Sequence, residues 1–518
     1  MKLHRGWGST MQFDRRRFVQ MLGAVSAGIG LEAGAQTPAD EAAILRRQIR
    51  TVNSTVNRKN LVGTQVKAYA WQDEGIDRLL DNLQEKGNVN TVFAFTFLAG
   101  NGRIEAGGPI KLPDHGKYGP TDIGGAYFDA DPKYFANTTL KLGHSPDPFN
   151  VIAEVGPKIQ ARGIDFFAWD YNNTSPNMTA LFPGFQDVCE VDIYGRRTDS
   201  ACWNHPNYRA QLNARISAYL LQYPNEVAGI MWGCERMGPL DNLIGGGWST
   251  PGISCFCEFC RAKGRERGIA IDRARAGLIE LDKLFDAAKK RQRPADGYFV
   301  SFWRILLQYP EVLAWHTLWN DSYHEVRGEL YGTAKTLAPK KPFGFHIVQN
   351  VTFSPFYSAV DDYARLKHYT DFVKIASYSN AGGERMAGFI SHLASTIFAD
   401  STPEVLTPVY YDVMGYKEQP YAETIRNGLN ANDYIGHETM RARADTNHEI
   451  EVYASVDINV PMPPGSVEST PDQVTAEVNA ALRGGADGIV LSREYTEMML
   501  ANLAAAGDAT RAFFASRS

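Results

Sequence analysis

Val227-Ala228-Gly229-Ile230-Met231-Trp232-Gly233, followed by Cys234-Glu235-Arg236, decides how this chain is read. An uncharged, mostly apolar run that stops at a charged pair suits a strand buried on both faces, as in a parallel sheet covered by helices. Such a strand delivers its last residues to one rim of the sheet, which puts Glu235 where acid/base chemistry is done. Upstream lie Cys202 and a helical segment from about Tyr208 to Tyr223. Downstream, Cys255, Cys257 and Cys260 form a C-x-C-x-x-C array. Soft thiolates at this tight spacing suit a tetrahedral zinc site.

Outward from this strand, short apolar runs alternate with polar helical stretches. The candidate strands are Leu61–Trp71, Asn90–Phe97, Ile164–Tyr171, Val227–Glu235, Phe343–Asn350, Phe372–Ser377, Glu451–Ile458 and Gly488–Glu494. Eight parallel strands with intervening helices predict an α/β fold, a (β/α)8 TIM barrel over 61–518. A long cysteine-containing insertion after strand four, about 236–340, carries helices near Leu278–Lys290 and Val300–Tyr309. Long insertions at that end of a barrel strand build the active-site rim. Thr470-Pro471-Asp472 reads as a helix N-cap with proline in the first turn, and Arg483-Gly484-Gly485 ends that helix.

The first 35 residues read as an export signal. Arg15-Arg16-Arg17-Phe18 is basic, Met21 to Leu31 is apolar, and Ala33-Gly34-Ala35 is a small-residue cleavage site. The Arg-Arg-x-Phe order is that of a twin-arginine signal, which predicts a periplasmic or secreted protein, with 36–60 a linker or N-terminal helix. No other segment approaches the roughly 18 apolar residues of a membrane span, so no membrane partner is expected once the signal is removed. Net charge is −5 over 518 residues and the basic residues are scattered, which argues against nucleic acid as a partner. Oligomeric state is not legible. Six cysteines in an exported chain would ordinarily suggest disulfides, and an iron–sulfur site is a third option. The three clustered cysteines are too close to staple distant segments, however, and a twin-arginine substrate folds before export, where zinc–thiolate bonds can form.

The residues at the carboxyl ends of the strands are the candidate site. Trp169 and Asp170 end strand three, Glu235 ends strand four, and His346 and Asn350 belong to strand five. Tyr378 follows strand six, Asp457 ends strand seven, and Arg493 and Glu494 end strand eight. Aromatic faces, amides and carboxylates converging from several strands suit a carbohydrate ligand. Glu235 is the candidate acid/base, and partial burial behind Trp232-Gly233-Cys234 is expected to raise its pKa. Asp457 is the candidate nucleophile and Glu494 its rival. Trp169, Asp170, His346, Asn350, Tyr378 and Arg493 are candidate substrate contacts.

From Tyr194-Gly195-Arg196-Arg197 through Cys202, the helix start Pro206-Asn207-Tyr208-Arg209, the strand Val227–Glu235 and the array C-F-C-E-F-C-R-A at Cys255–Ala262, the chain resembles the β-galactosidases of glycoside hydrolase family 42. The likeness covers about 70 residues. It implies an exported glycoside hydrolase in which Cys202, Cys255, Cys257 and Cys260 bind structural zinc and Glu235 is the general acid/base, with a retaining mechanism if Asp457 attacks the sugar. The chain departs from the family where Cys234 replaces Asn and where Asp457 stands in place of Glu. Those departures leave an alternative, a catalytically degenerate barrel that binds carbohydrate.

Overall fold

The computed structural model describes residues 60–98, 114–116, 124–146, 149–172, 178, 182–245, 252–460 and 467–517. The chain divides into two units, Met1–Ser54 and Thr55–Ser518, and every described residue belongs to the second. The predicted signal and all but Asn60 of the predicted linker lie outside the described residues.

Eight strands form the centre: β1 (Leu61–Val66), β2 (Thr91–Leu98), β3 (Asp165–Tyr171), β4 (Gly229–Gly233), β5 (Phe343–Ile347), β6 (Phe372–Ile375), β7 (Glu451–Asp457) and β8 (Gly488–Ser492). Each pairs in parallel with the next, and β1 pairs with both β2 and β8, so the sheet closes. This is a (β/α)8 TIM barrel, in which closure leaves no unpaired strand edge. All eight predicted strands are present. The first is shorter than expected, because Lys67 is extended and Ala68–Glu74, rich in helix-forming residues, turns into a helix.

Aromatic rings fill the floor of the barrel. Phe93 and Phe167 have ring centres 5.1 Å apart, Phe167 and Phe372 5.9 Å, and Phe372 and Tyr453 5.0 Å. Rings of this size fit because glycine stands beside them. Gly229 is paired with Phe167 and Gly344 with Phe372, and a Cβ on either glycine would lie 2.4 Å from the neighbouring ring. Two residues further along β3, Trp169 lies over Gly233 in the same way. Large and small side chains thus interdigitate at the density expected of a core, and the interior is plugged below the carboxyl ends.

The insertion after β4 contains helices Glu258–Glu266, Ile271–Lys289 and Tyr298–Gln308 before the long helix Glu311–Leu337 returns the chain to β5. The helix predicted from Thr470 runs Pro471–Arg483 and starts with a full capping box between Thr470 and Gln473. A hairpin of Cys189–Val191 and Arg197–Ala201 was not predicted, because its polar sequence shows no apolar alternation. No helix of the described residues is long and apolar enough to cross a membrane.

Candidate active site and cysteine cluster

The hairpin carries one half of the cysteine cluster. Cys202 directly follows its second strand, while Cys255 and Cys257 precede helix Glu258–Glu266 and Cys260 lies in its first turn. All six cysteines are free thiols, and the four sulfurs of Cys202, Cys255, Cys257 and Cys260 lie within 4.8 Å of one another. Cys202 Sγ is 3.4 Å from both Cys257 Sγ and Cys260 Sγ. A metal with sulfur arms of about 2.3 Å needs tetrahedral edges of about 3.8 Å, so these residues fit such an ion. Outer donors are also in place. Asn204 N points at Cys202 Sγ and Asn204 Nδ2 at Cys260 Sγ, each at 3.3 Å, and Val191 N lies 3.4 Å from Cys255 Sγ. Donors of this kind stabilise thiolate ligands.

The cluster is tied to the end of β4 through Arg236. Its guanidinium donates to Ala201 O at 2.7 Å, pairs with buried Glu190 at 2.8 Å and lies 4.7 Å from the ring centre of Trp203. Trp203 in turn packs on Trp232 of β4. The residue that precedes Arg236 therefore projects from a braced backbone.

That residue is Glu235. Its Oε1 accepts a hydrogen bond from His346 Nε2 of β5 at 2.8 Å, and a quarter of its side chain, 24 %, remains exposed at the mouth. The His346 ring packs on Trp169 and Tyr171. Burial, with help from Lys374, holds the imidazole down at about 4, so at neutral pH it is uncharged and donates from Nε2. Burial pushes the Glu235 carboxyl up, but the His346 bond and the positive charges of Arg385 and Lys374 outweigh it and hold Glu235 at about 2. The expected rise is thus reversed. Glu235 rests as a carboxylate because strands five and six bring donors and cations to it.

Lys374 lies in the barrel interior on β6, wholly buried, and donates to Tyr378 Oη at 3.1 Å. Burial lowers its ammonium to about 7, while Glu235 resists that shift. Arg385, on helix Ser379–Leu393, donates to Gln349 Oε1 at 2.7 Å, and Gln349 Nε2 donates to Tyr378 O and Tyr434 Oη. Lys374, Arg385, Gln349 and Tyr171 were not among the sequence candidates. Tyr171 had a signal, being two residues past Trp169 and so on the same strand face. A lysine inside the apolar strand Phe372–Ile375 was a second.

The other candidates fall differently. Trp169 is buried beneath Tyr171 and serves as floor, whereas Tyr171 is half-buried. Asp170 points out of the barrel. Arg215 of helix Pro206–Gln222 donates to its two oxygens at 2.9 Å each, and Tyr219 Oη adds a bond at 2.8 Å. That position binds a helix to the sheet, not a ligand. Asn350 starts a short helix and bonds the Tyr357 hydroxyl, so its neighbour Gln349 takes the expected place. Cys234 faces away from the mouth, and its thiol donates to Asn172 O at 3.3 Å. Glu494 caps the turn at Tyr495–Glu497 and pairs with Lys67 at 3.4 Å. Arg493 donates from Nε to Glu497 at 2.9 Å, with 42 % of its side chain exposed. Asp457 closes β7 with both oxygens engaged: Oδ1 accepts from Asn459 N, Val460 N and Ser469 Oγ, and Oδ2 from Ala381 N. The structure therefore gathers Glu235, His346, Tyr378 and Arg493 at the mouth and gives Asp170, Asn350, Glu494 and Asp457 structural bonds.

No family model and no curated protein matches the sequence. Among solved structures, the barrel is similar to a β-galactosidase from the psychrophilic Marinomonas ef1, with a TM-score of 0.51 and 12 % identity over 88 % of this chain and 59 % of that one. The likeness is one of fold. A β-galactosidase from Halorubrum lacusprofundi aligns with TM-score 0.49, 13 % identity and coverage of 88 % and 58 %. The alpha-L-fucosidase isoenzyme 2 from Paenibacillus thiaminolyticus aligns at 0.46 and 12 %, with coverage of 88 % and 50 %. The chain spans less than two thirds of the length of each.

Proposed function

We propose that this chain is an exported glycoside hydrolase that cleaves glycosidic bonds of oligo- or polysaccharides at the mouth of the barrel. The observation that supports it most is a partly exposed carboxylate at the end of β4, aligned by a neutral histidine that packs on Tyr171, with Tyr378, Arg385 and Lys374 near enough to share its charge. Tyrosine faces suit pyranose rings, and guanidinium and amide groups suit their hydroxyls and substituents. In this reading Glu235 gives a proton to the glycosidic oxygen and then activates water. Because it rests ionised, it must first gain a proton when a ligand displaces water and changes the balance of charge around it.

Cys202, Cys255, Cys257 and Cys260 would hold zinc. With four protein ligands the ion has no open position, so it stabilises the insertion and takes no part in bond cleavage. Metal analysis of the exported protein should return one zinc per chain, and Cys257→Ser should lose it and lower the melting temperature. Cell fractionation, with Arg15-Arg16-Arg17 replaced by lysines in a control, tests export.

The experiment that tests hydrolysis compares wild type and Glu235→Gln on a panel of aryl glycosides and oligosaccharides. Turnover that falls by about 10²–10⁴-fold in the variant supports the acid/base role. A second reading, a barrel that binds carbohydrate without cleaving it, is favoured by Asp457, whose donors leave neither oxygen uncommitted for attack on a sugar. A folded protein that binds oligosaccharide and shows no turnover would establish that reading.

A further inference from the structure

A lysine inside a barrel calls for a role, because a buried ammonium costs free energy unless a carboxylate is bonded to it. Lys374 follows Phe372 by two residues and so stands one layer above the aromatic floor, wholly buried. Its hydrogen bond goes to the Tyr378 hydroxyl at 3.1 Å, a neutral acceptor. Across the β5–β6 pair lies His346, matched in register with Lys374, so the two side chains leave the sheet on the same face. Neighbouring strands run about 4.8 Å apart, a span that the flexible four-carbon stem of a lysine covers by turning about its own bonds. His346 engages one of its two ring nitrogens. Nε2 donates to Glu235 Oε1 at 2.8 Å, while Nδ1 is buried and has no hydrogen-bond partner among the described residues. A neutral imidazole that donates from Nε2 keeps a lone pair on Nδ1, so this nitrogen is an acceptor turned toward the interior. The charges that act on Lys374 are those of Glu235 and Arg385, and Arg327 joins Glu235 and Lys374 around His346. The arginines keep their protons, whereas Lys374 releases its own at about 7.

We propose that Lys374 is the proton reserve of Glu235, a positioning residue that acts through His346. As a ligand covers the mouth, the Lys374 ammonium turns from Tyr378 Oη to His346 Nδ1 and gives up a proton there, and His346 passes its Nε2 proton to Glu235 Oε1. The histidine changes tautomer, Glu235 becomes the acid, and Lys374 becomes a neutral amine that accepts from the Tyr378 hydroxyl. No proton enters or leaves the protein. The inference rests on the reading of the barrel mouth as a sugar-cleaving site, and it names the source of the proton that reading requires. Two effects drive the exchange. The ligand takes water from the exposed quarter of Glu235, which favours the neutral carboxyl, and the loss of the ammonium removes one of the cations that hold Glu235 ionised. After Glu235 has protonated the glycosidic oxygen it takes a proton from the attacking water. That proton returns through His346 to Lys374 as the sugar leaves.

The test uses the full-length protein and a panel of 4-nitrophenyl glycosides. Glu235 and Lys374 work only while they hold one proton between them, so turnover should fall as the pH rises through about 7. Lys374→Arg keeps a cation that cannot release its proton, and Lys374→Met removes the charge. In both, that basic limb should move well below pH 7 and turnover at pH 7 should drop by about 10²-fold. A wild-type limb in Lys374→Arg would show that charge alone matters and would overturn the proposal. A second measurement needs no altered lysine, and it decides if melting curves show that neither variant folds. The uncleaved 1-thio analogue of a cleaved glycoside is added to protein labelled with nitrogen-15 in histidine, with the His346 signals assigned by their absence in His346→Gln. Binding should move the His346 proton from Nε2 to Nδ1. Calorimetry of the same complex at pH 6 should give a heat that does not vary with the buffer. A proton that stays on Nε2, or one taken up from the buffer, overturns the relay while leaving hydrolysis standing. If the wild type cleaves no glycoside in the panel, the hydrolase reading falls and the relay falls with it.

Discussion

Asp170 and Glu235 are carboxylates at the ends of adjacent strands, and they differ in almost everything that matters. Asp170 is wholly buried and takes bonds from Arg215, Tyr219 and Asn172, while Glu235 keeps a quarter of its side chain exposed and takes one from a neutral imidazole. Parity along the strand decides this. Trp169 and Tyr171 turn inward with His346, so Asp170 between them turns outward to the helix layer, and Glu235 follows Cys234 back to the inside. A carboxylate saturated by structural donors holds the fold together. One that keeps part of its side chain open at the mouth is available for chemistry.

Exchanging the amide at each position should separate the two roles. Asp170→Asn leaves Arg215 in the interior without a counter-charge, and breaking a buried pair of this kind costs about 3–5 kcal/mol. Chemical denaturation should show that loss in full. Glu235→Gln should destabilise the fold less than Asp170→Asn, since part of its side chain stays in solvent, and act chiefly on turnover. Equal destabilisation by the two would erase the distinction drawn here.

A finer test concerns what keeps Glu235 ionised. The carboxyl sits at about 2 in the folded chain against 4.5 ordinarily, so the Glu235 carboxylate, with its bond from neutral His346 and the nearby charges of Arg385 and Lys374, stabilises the fold fully above about pH 4.5. That contribution is lost as the pH falls toward 2. His346→Gln removes the imidazole, and Glu235 should then titrate closer to its ordinary value. Carbon-13 NMR of the glutamate side chain should show the shift, and any acid limb of the activity profile should move to higher pH with it. An unmoved Glu235 resonance would assign its acidity to Arg385 and Lys374 instead.

The fold was readable because each barrel strand is a short apolar run between polar stretches, and the cysteine cluster because three of its four ligands fall within six residues. The mouth was not readable to the same depth. Both faces of β3 are buried, so apolar pattern alone does not show whether Trp169 or Asp170 points inward. Arg385 reaches the site from a helix with no pattern to mark it. The acidity of Glu235 depends on His346 and Lys374, more than a hundred residues away in sequence and adjacent only after the barrel closes. Asp457 looked like a nucleophile by position, yet its partner Ala381 comes from the first turn of helix Ser379–Leu393 and Ser469 from the segment before helix Pro471–Arg483.

The smallest expected effect concerns Lys374. Its ammonium falls to about 7 in the folded chain from an ordinary 10.5, so between those values the unfolded chain binds more protons and stability rises with pH. Below about pH 7 the folded protein carries a buried charge whose bond goes to a hydroxyl, an arrangement that disfavours folding and persists where function uses it. Lys374→Met fills similar volume without the charge. It should therefore raise the melting temperature by about 1–3 °C at pH 6 and by less at pH 9, while weakening whatever ligand the mouth takes. A gain in stability coupled to a loss of binding would mark Lys374 as part of the site. A loss of both would place it with Asp170, among the residues that hold the barrel together.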